Sequence, residues 1–354
     1  MSAARPGRCG KHRRAAVLAL CALMMPVAAA AGESPATVVE TPWAAEGLAG
    51  TLGCPGRGAV AGETGPAAPE ARAGEAPAKS ADRSAPKPGI LIIAGSGPTD
   101  RDGNGPGLTT DLYRKLAHGL ASAGHCVLRY DKRGVGGSRA AMPAEADMRF
   151  DNLVGDAGIA LAGLKNQPQV RGAVLLGHSE GALIATLLAP QVKPDGLILV
   201  AAPGRPLGSV LRSQLTAAPM PPDLRKAALD ILAALEAGTP VSQVPPQLAS
   251  LFRPSVQPYL MSQLRIDPAA ALAATRMPVL LVGAGRDLQV GRVDLDRLVA
   301  ARPEATVLRL PEANHILVPA PVDRAGNLAL YARPEAPLDP ALLPALTGFL
   351  DRLP

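Results

Sequence analysis

From Gly89 onward, short aliphatic runs alternate with stretches whose apolar positions recur at helical spacing. Strand-length runs separated by helix-length segments mark βαβ units, and therefore an α/β fold with a mostly parallel sheet flanked by helices. The pattern predicts strands at Ile90–Ala94, Cys126–Tyr130, Gly172–Leu176, Gly196–Ala201, Val279–Gly283 and Thr306–Leu310. It predicts helices near Thr110–Ala123, Asn152–Leu164, Gly181–Ala189, Asp294–Ala301 and Pro340–Leu350. Runs such as Leu197–Val200 and Val279–Val282 contain no polar residue, which implies burial on both faces. Residues 204–276 break the rhythm with helical stretches and several prolines. They read as an excursion from the sheet that forms a helical cap.

Upstream the texture differs. Residues 36–55 carry short apolar patches broken by glycine and predict a β-hairpin, roughly Val38–Trp43 and Gly47–Leu52. Residues 56–88 hold almost no large apolar side chain, so they cannot offset the entropy of ordering and are expected to form a flexible insert. Residues 1–31 contain Arg5, Arg8, Lys11, Arg13 and Arg14, no acidic residue, an apolar run from Ala15 to Val27 and then small residues. That is the layout of a secretory signal cleaved near Ala30 or Ala31, and it predicts an exported protein, periplasmic or secreted. The apolar run is short for a span of about 20 residues, so an uncleaved anchor is the alternative and no stable membrane span is expected after cleavage.

Composition sharpens this picture in two places. The 354 residues carry a formal charge of +6, and removing the five basic residues of the leader leaves +1. The basicity belongs to the leader, which argues against a nucleic-acid partner. One Trp, four Tyr and three Phe supply few platforms for stacking bases, which points the same way. Outside the leader only Cys54 and Cys126 remain. They are able to form one disulfide in an oxidising compartment, but the preferred reading is two separate, semi-buried thiols.

The candidate chemistry starts at GHSEG, Gly177–Gly181, placed between a predicted strand and a predicted helix. In a nucleophile elbow the turn is tight enough to require glycine at both flanking positions, and it lifts the serine hydroxyl, here Ser179, clear of the sheet. A serine hydroxyl needs a base to become a nucleophile, and the base needs a carboxylate to orient it. Of the five histidines, His12 lies in the leader, His118 sits inside a predicted helix, His125 enters a strand at the wrong end, and His178 adjoins Ser179 but points elsewhere. His315 remains, just past the last predicted strand and at the same edge as Ser179. Asp287 follows the strand Val279–Gly283, whereas Asp294 and Asp296 fall on the next predicted helix.

The order Ser179, Asp287, His315 resembles that of the α/β-hydrolase superfamily. More narrowly, the chain is similar to exported bacterial esterase-like proteins related to dienelactone hydrolases and serine aminopeptidases. The marks of that likeness are AGSGPTDRDGN (94–104), RYDKRGVGGS (129–138), GHSEG and ANH (313–315). The resemblance implies an α/β-hydrolase fold over residues 36–354 and an oxyanion hole formed by the backbone amides of Ser96 and Glu180. Ala94 departs from the histidine usual at its position.

Two patterns compete for attention. Asp100, Asp102, Asn104, Gly105 and Asp111 approximate a calcium loop, but a strand rather than a helix leads into it and the last ligand is not Glu. Arg101 and its acidic neighbours are expected instead to form a polar network that stiffens the loop. RGVGGS resembles a dinucleotide fingerprint until Arg139 occupies its third glycine position. No metal and no cofactor are expected. The expected function is hydrolysis of a small-molecule carboxylic ester through an acyl-enzyme. A serine peptidase or thioesterase of the same fold, or a non-catalytic envelope binding protein, is the alternative.

Overall fold

A computed structural model describes residues 37–56 and 86–354. The expected leader at residues 1–31 and most of the expected insert lie outside the described residues. The strands are β1 Val38–Ala45, β2 Leu48–Pro55, β3 Lys87–Ile93, the short pair β4 Asn104–Gly105 and β5 Leu108–Thr109, β6 Val127–Tyr130, β7 Val170–His178, β8 Gly196–Val200, β9 Val279–Ala284 and β10 Thr306–Leu310. Eight of them form one sheet in the order β1-β2-β6-β3-β7-β8-β9-β10. β2 pairs antiparallel with β1 and β6, while β6, β3, β7, β8, β9 and β10 run parallel. The carboxyl ends of the parallel strands therefore share one edge, where ligands of open α/β sheets bind.

The strand period of two divides the aliphatic side chains between two cores. Leu91, Ile93, Leu128, Leu175, Leu199 and Leu281 face a core that includes residues of α2 Phe150–Lys165 and α3 Glu180–Val192. Ile90, Ile92, Val127, Val174, Ile198 and Leu280 face the other core, with residues of α1 Leu112–Ser122. A third cluster, including Leu211, Leu215, Ile231, Leu232 and Phe252, is enclosed by α4 Leu207–Ala217, α5 Pro222–Glu236, α6 Ala249–Phe252 and α7 Gln257–Leu264. The prolines at 222, 258 and 268 stand in the first turns of α5, α7 and α8 Pro268–Ala273, where the missing N–H costs nothing. The chain then continues through α9 Arg292–Ala301, α10 Arg324–Ala329 and α11 Leu342–Leu350.

Boundaries differ from the sequence reading where backbone pairing overrides side-chain pattern. β7 runs on to His178 because Gly177 and His178 pair with Leu199 and Val200 of β8. α1 begins at Leu112 because Asp111 adopts a left-handed φ of 49°.

The preferred reading of the two cysteines is corrected: Cys54 and Cys126 form a disulfide. The pairing of Gly53 with Val127 across β2 and β6 makes them cross-strand neighbours although 72 residues separate them. The strand order that creates this proximity has no local sequence signal. Closing so long a loop restricts the unfolded chain, so replacing both cysteines by alanine is expected to cost about 2–4 kcal/mol. Urea unfolding under non-reducing conditions checks this, and an unchanged midpoint would contradict it.

Candidate active site

β7 ends at His178 and α3 starts at Glu180, which leaves one residue to reverse the chain. Ser179 makes that reversal with φ 54° and ψ −123°, a conformation costing a residue with a Cβ on the order of 1–3 kcal/mol. Its flanks cannot carry side chains: a Cβ on Gly177 would run into the carbonyl of Gly181, and one on Gly181 into the carbonyl of Ile93. The Ser179 amide donates to Val200 O at 2.9 Å, which fixes the turn to β8.

Asp287 and His315 reach the same edge from different loops. Beyond β9, the Gly285 amide donates to Leu310 O and the Arg286 amide to Ala313 O, both at 2.8 Å, so the two loops are tied together. His315 Nδ1 donates to Asp287 Oδ2 at 2.7 Å, and the amides of Gln289 and Val290 donate to Asp287 Oδ1 at 2.7 and 2.9 Å. The carboxylate is wholly buried and the imidazole is 6% exposed, so each of these charge-assisted bonds acts in a region poor in water. With Nδ1 as donor, Nε2 is left as the acceptor. Asn314 shapes the histidine loop: its Oδ1 accepts from the Ile316 amide at 3.1 Å, and its Nδ2 donates to Asn327 Oδ1 at 3.2 Å. Ser179 and His315 line one cavity of about 100 Å³. No direct Ser179 Oγ to His315 hydrogen bond forms between these two described residues, and such bonds are often long until substrate arrives.

Ser96 and Glu180 flank this point. Ser96 lines the cavity just past β3, and Glu180 is the first residue of α3, whose amide has no intrahelical partner. The Glu180 carboxylate turns the other way and accepts from Tyr259 Oη and Gln263 Nε2 of α7, each at 3.1 Å.

His178, set aside in the sequence reading, has a definite place. Burial, reinforced by the neighbouring His315, lowers its pKa to about 3, so it is neutral at physiological pH. The His315 carbonyl lies 2.8 Å from Nε2 and can only accept, so Nε2 carries the proton. Nδ1 then accepts from Tyr113 Oη at 3.0 Å, and Tyr113 Oη accepts from the Gly95 amide at 2.8 Å. The Gly95 carbonyl accepts from Lys132 Nζ. Tyr113 and Lys132 escaped the sequence reading because nothing local distinguishes them from a core tyrosine and a surface lysine. The remaining described histidines are elsewhere: His118 contacts Glu40 and His125 contacts the Pro88 carbonyl. Asp294 binds Arg205 and Asp296 binds Arg292 and Arg309. A larger cavity, about 400 Å³, is lined by Leu281, Leu295 and Leu298 and includes none of Ser179, Asp287 and His315.

A family described as alpha/beta hydrolase family matches residues 90–328. Esterase EstD of Thermotoga maritima is 30% identical over 242 residues, which is 66% of this chain and 56% of that protein. The chain thus spans a little over half the length of this curated relative. Among solved structures, an esterase of Pyrococcus furiosus matches with a TM-score of 0.50 and 15% identity, covering 90% of this chain and 93% of that one. Est1E of Butyrivibrio proteoclasticus, whose structure has ferulic acid bound, matches with a TM-score of 0.51 and 13% identity, covering 88% and 96%.

The loop after β3 corrects one further expectation. Arg101 pairs not with its acidic neighbours but with Asp131 beyond β6, by side chain at 2.5 Å and by amide at 2.8 Å. Asp102 binds Arg129, and Asp111 accepts from Asn104 Nδ2 at 2.7 Å. Burial pushes the Asp131 carboxyl up, but the Arg101 side chain and the amides of Arg101 and Gly137 outweigh it and hold the pKa below its ordinary value. A carboxyl depressed in this way stabilises the fold above the ordinary carboxylate range and loses that contribution as pH falls through the folded-state pKa. Arg101→Ala is therefore expected to raise the midpoint pH of acid unfolding. Acid titration followed by circular dichroism checks this, and a wild-type midpoint would refute the role.

Proposed function

The chain belongs to the alpha/beta hydrolase family, and on that premise we propose that it hydrolyses small carboxylic esters through an acyl-enzyme on Ser179. The observation that carries the reading is the buried Asp287–His315 pair, bonded at 2.7 Å, whose imidazole lines the same cavity as a serine held in a strained turn. In this mechanism His315 Nε2 takes the Ser179 proton as Oγ attacks the carbonyl carbon, while Asp287 holds the imidazole and stabilises its charged form. The tetrahedral oxyanion is received by the amides of Ser96 and Glu180. His315 returns the proton to the departing alkoxide, and water repeats the sequence to release the acid. The similarity to EstD, itself called an esterase, supports esters as the substrate class.

The narrower kinship with exported esterase-like proteins related to dienelactone hydrolases and serine aminopeptidases belongs to the same proposal and rests on the motifs quoted above. So does export. The leader-like pattern of residues 1–31 supports it, as does the Cys54–Cys126 disulfide, because such bonds persist in oxidising compartments. No helix among the described residues is long and apolar enough to cross a membrane.

A cavity of about 100 Å³ is well below the roughly 300–1,000 Å³ of sites for larger ligands, which favours an acyl chain of a few carbons. Ser179→Ala is expected to lower kcat on p-nitrophenyl acetate by about 10³-fold or more. Undiminished hydrolysis would end the assignment, and a failure of the wild-type protein to label with a fluorophosphonate would favour a non-catalytic role. Across a p-nitrophenyl ester series, acetate and butyrate are expected to exceed decanoate in kcat/KM by about tenfold or more, since misfitting methylenes cost about 1–3 kcal/mol. A flat profile would contradict the size limit.

A further inference from the structure

Lys132 is 6% exposed and sits beneath the loop that carries Ser96. Among the described residues its ammonium makes no salt bridge, and the one hydrogen bond of that ammonium runs to the carbonyl of Gly95. That carbonyl belongs to the same peptide unit as the Ser96 amide. In a trans peptide the C=O and N–H point in opposite directions, so a group that holds the carbonyl from below turns the amide toward the other side. Gly95 is held at its other end as well, by its own amide donating to Tyr113 Oη. A side chain at Gly95 would crowd the elbow, since a Cβ there would lie 3.1 Å from Ser179 Cβ and 3.3 Å from His178 Nδ1.

A buried ammonium is costly, and burial lowers the Lys132 pKa while the field of Glu180 raises it. Retaining such a group for a single carbonyl needs a reason beyond packing. The electrostatics supply one. A positive charge on the carbonyl oxygen draws electron density along the amide, which makes the attached N–H a better hydrogen-bond donor. That donor is the one assigned to the developing negative charge.

We propose that Lys132 is a positioning residue that orients and polarises the Gly95–Ser96 peptide, with Tyr113 anchoring the other side of Gly95, so that the Ser96 amide strengthens as an oxyanion donor. The inference rests on the esterase reading of Ser179. A contact felt mainly by the charged tetrahedral species affects kcat and leaves ground-state binding nearly unchanged.

The experiment compares wild type, Lys132→Met, Lys132→Arg, Tyr113→Phe and Ser179→Ala on p-nitrophenyl acetate, together with the affinity of phenylboronic acid, which forms a tetrahedral anionic adduct. Lys132→Met is expected to lower kcat at least tenfold with KM changed by less than twofold, and to weaken phenylboronic acid by a similar factor. Lys132→Arg, which keeps the charge, is expected to recover most of the lost kcat and boronate affinity. Tyr113→Phe removes one hydroxyl at nearly constant volume and decides the matter if the lysine variants do not fold. It is expected to lower kcat threefold or more at unchanged KM, and an unchanged kcat overturns the clamp. A Lys132→Met enzyme with wild-type kcat and boronate affinity overturns the proposal, as does a loss confined to KM or one that Lys132→Arg does not relieve. An active Ser179→Ala variant would remove the esterase reading itself, and this inference with it, whereas an inactive Ser179→Ala beside an unaffected Lys132→Met isolates the failure to Lys132.

Discussion

The site depends on one steric constraint: α3 packs against β7 and β3 so closely that neither Gly177 nor Gly181 has room for a Cβ. That closeness forces the reversal into a single residue and puts Ser179 at a positive φ that a serine would not otherwise adopt. The strain is offset by what lies on either side of it. β7 is hydrogen-bonded to β3 and β8, and most of α3 is buried. A turn held by this much packing cannot relax without separating the helix from the sheet. The same geometry aims the start of α3, with its unpaired amides and positive dipole end, at the space beside the hydroxyl.

The other parts of the site are referred back to this turn. His178 immediately precedes Ser179, and its two ring nitrogens reach in opposite directions, to the His315 carbonyl and to Tyr113. Tyr113 continues to Gly95, and Gly95 to Lys132. One hydrogen-bonded path therefore runs from the histidine loop, past the elbow, to the loop of Ser96. The path requires a neutral His178, because a doubly protonated ring could not accept from Tyr113. Burial secures both partners: it lowers the histidine to about 3 and raises the tyrosine hydroxyl, which stays protonated. For a histidine lowered in the fold, the drive to open the site begins only as pH drops below the ordinary histidine range.

What the sequence made legible follows from how local each signal was. The parallel strands were readable because burial on both faces leaves unbroken aliphatic runs such as Leu197–Val200. Ser179 was readable because the glycines the turn demands are adjacent to it. His315 and Asp287 could be proposed by elimination, since each follows a strand and there were few competitors. The Cys54–Cys126 bond was missed because it depends on β2 lying beside β6, and strand order is a property of the whole chain. Arg101 was assigned to its sequence neighbours for the same reason, when its partner Asp131 stands 30 residues away. Lys132 and Tyr113 could not be singled out, because their importance lies in one backbone carbonyl and one backbone amide, groups that every residue carries.

The link between Glu180 and α7 extends this dependence beyond the sheet. The backbone of Glu180 begins the helix beside Ser179, while its carboxylate is held by Tyr259 and Gln263 from the helices of residues 207–264. The burial of Tyr259 raises its phenol, and the Glu180 charge raises it further, so the hydroxyl remains a donor. The helices of residues 207–264 thus attach to the residue whose amide is proposed to meet the oxyanion. None of their residues lines the cavity of Ser179 and His315, so a change in their packing would reach the site through this carboxylate. Leu211 and Leu215 belong to the helices' own apolar cluster, whereas Tyr259 and Gln263 serve the helices and the site at once.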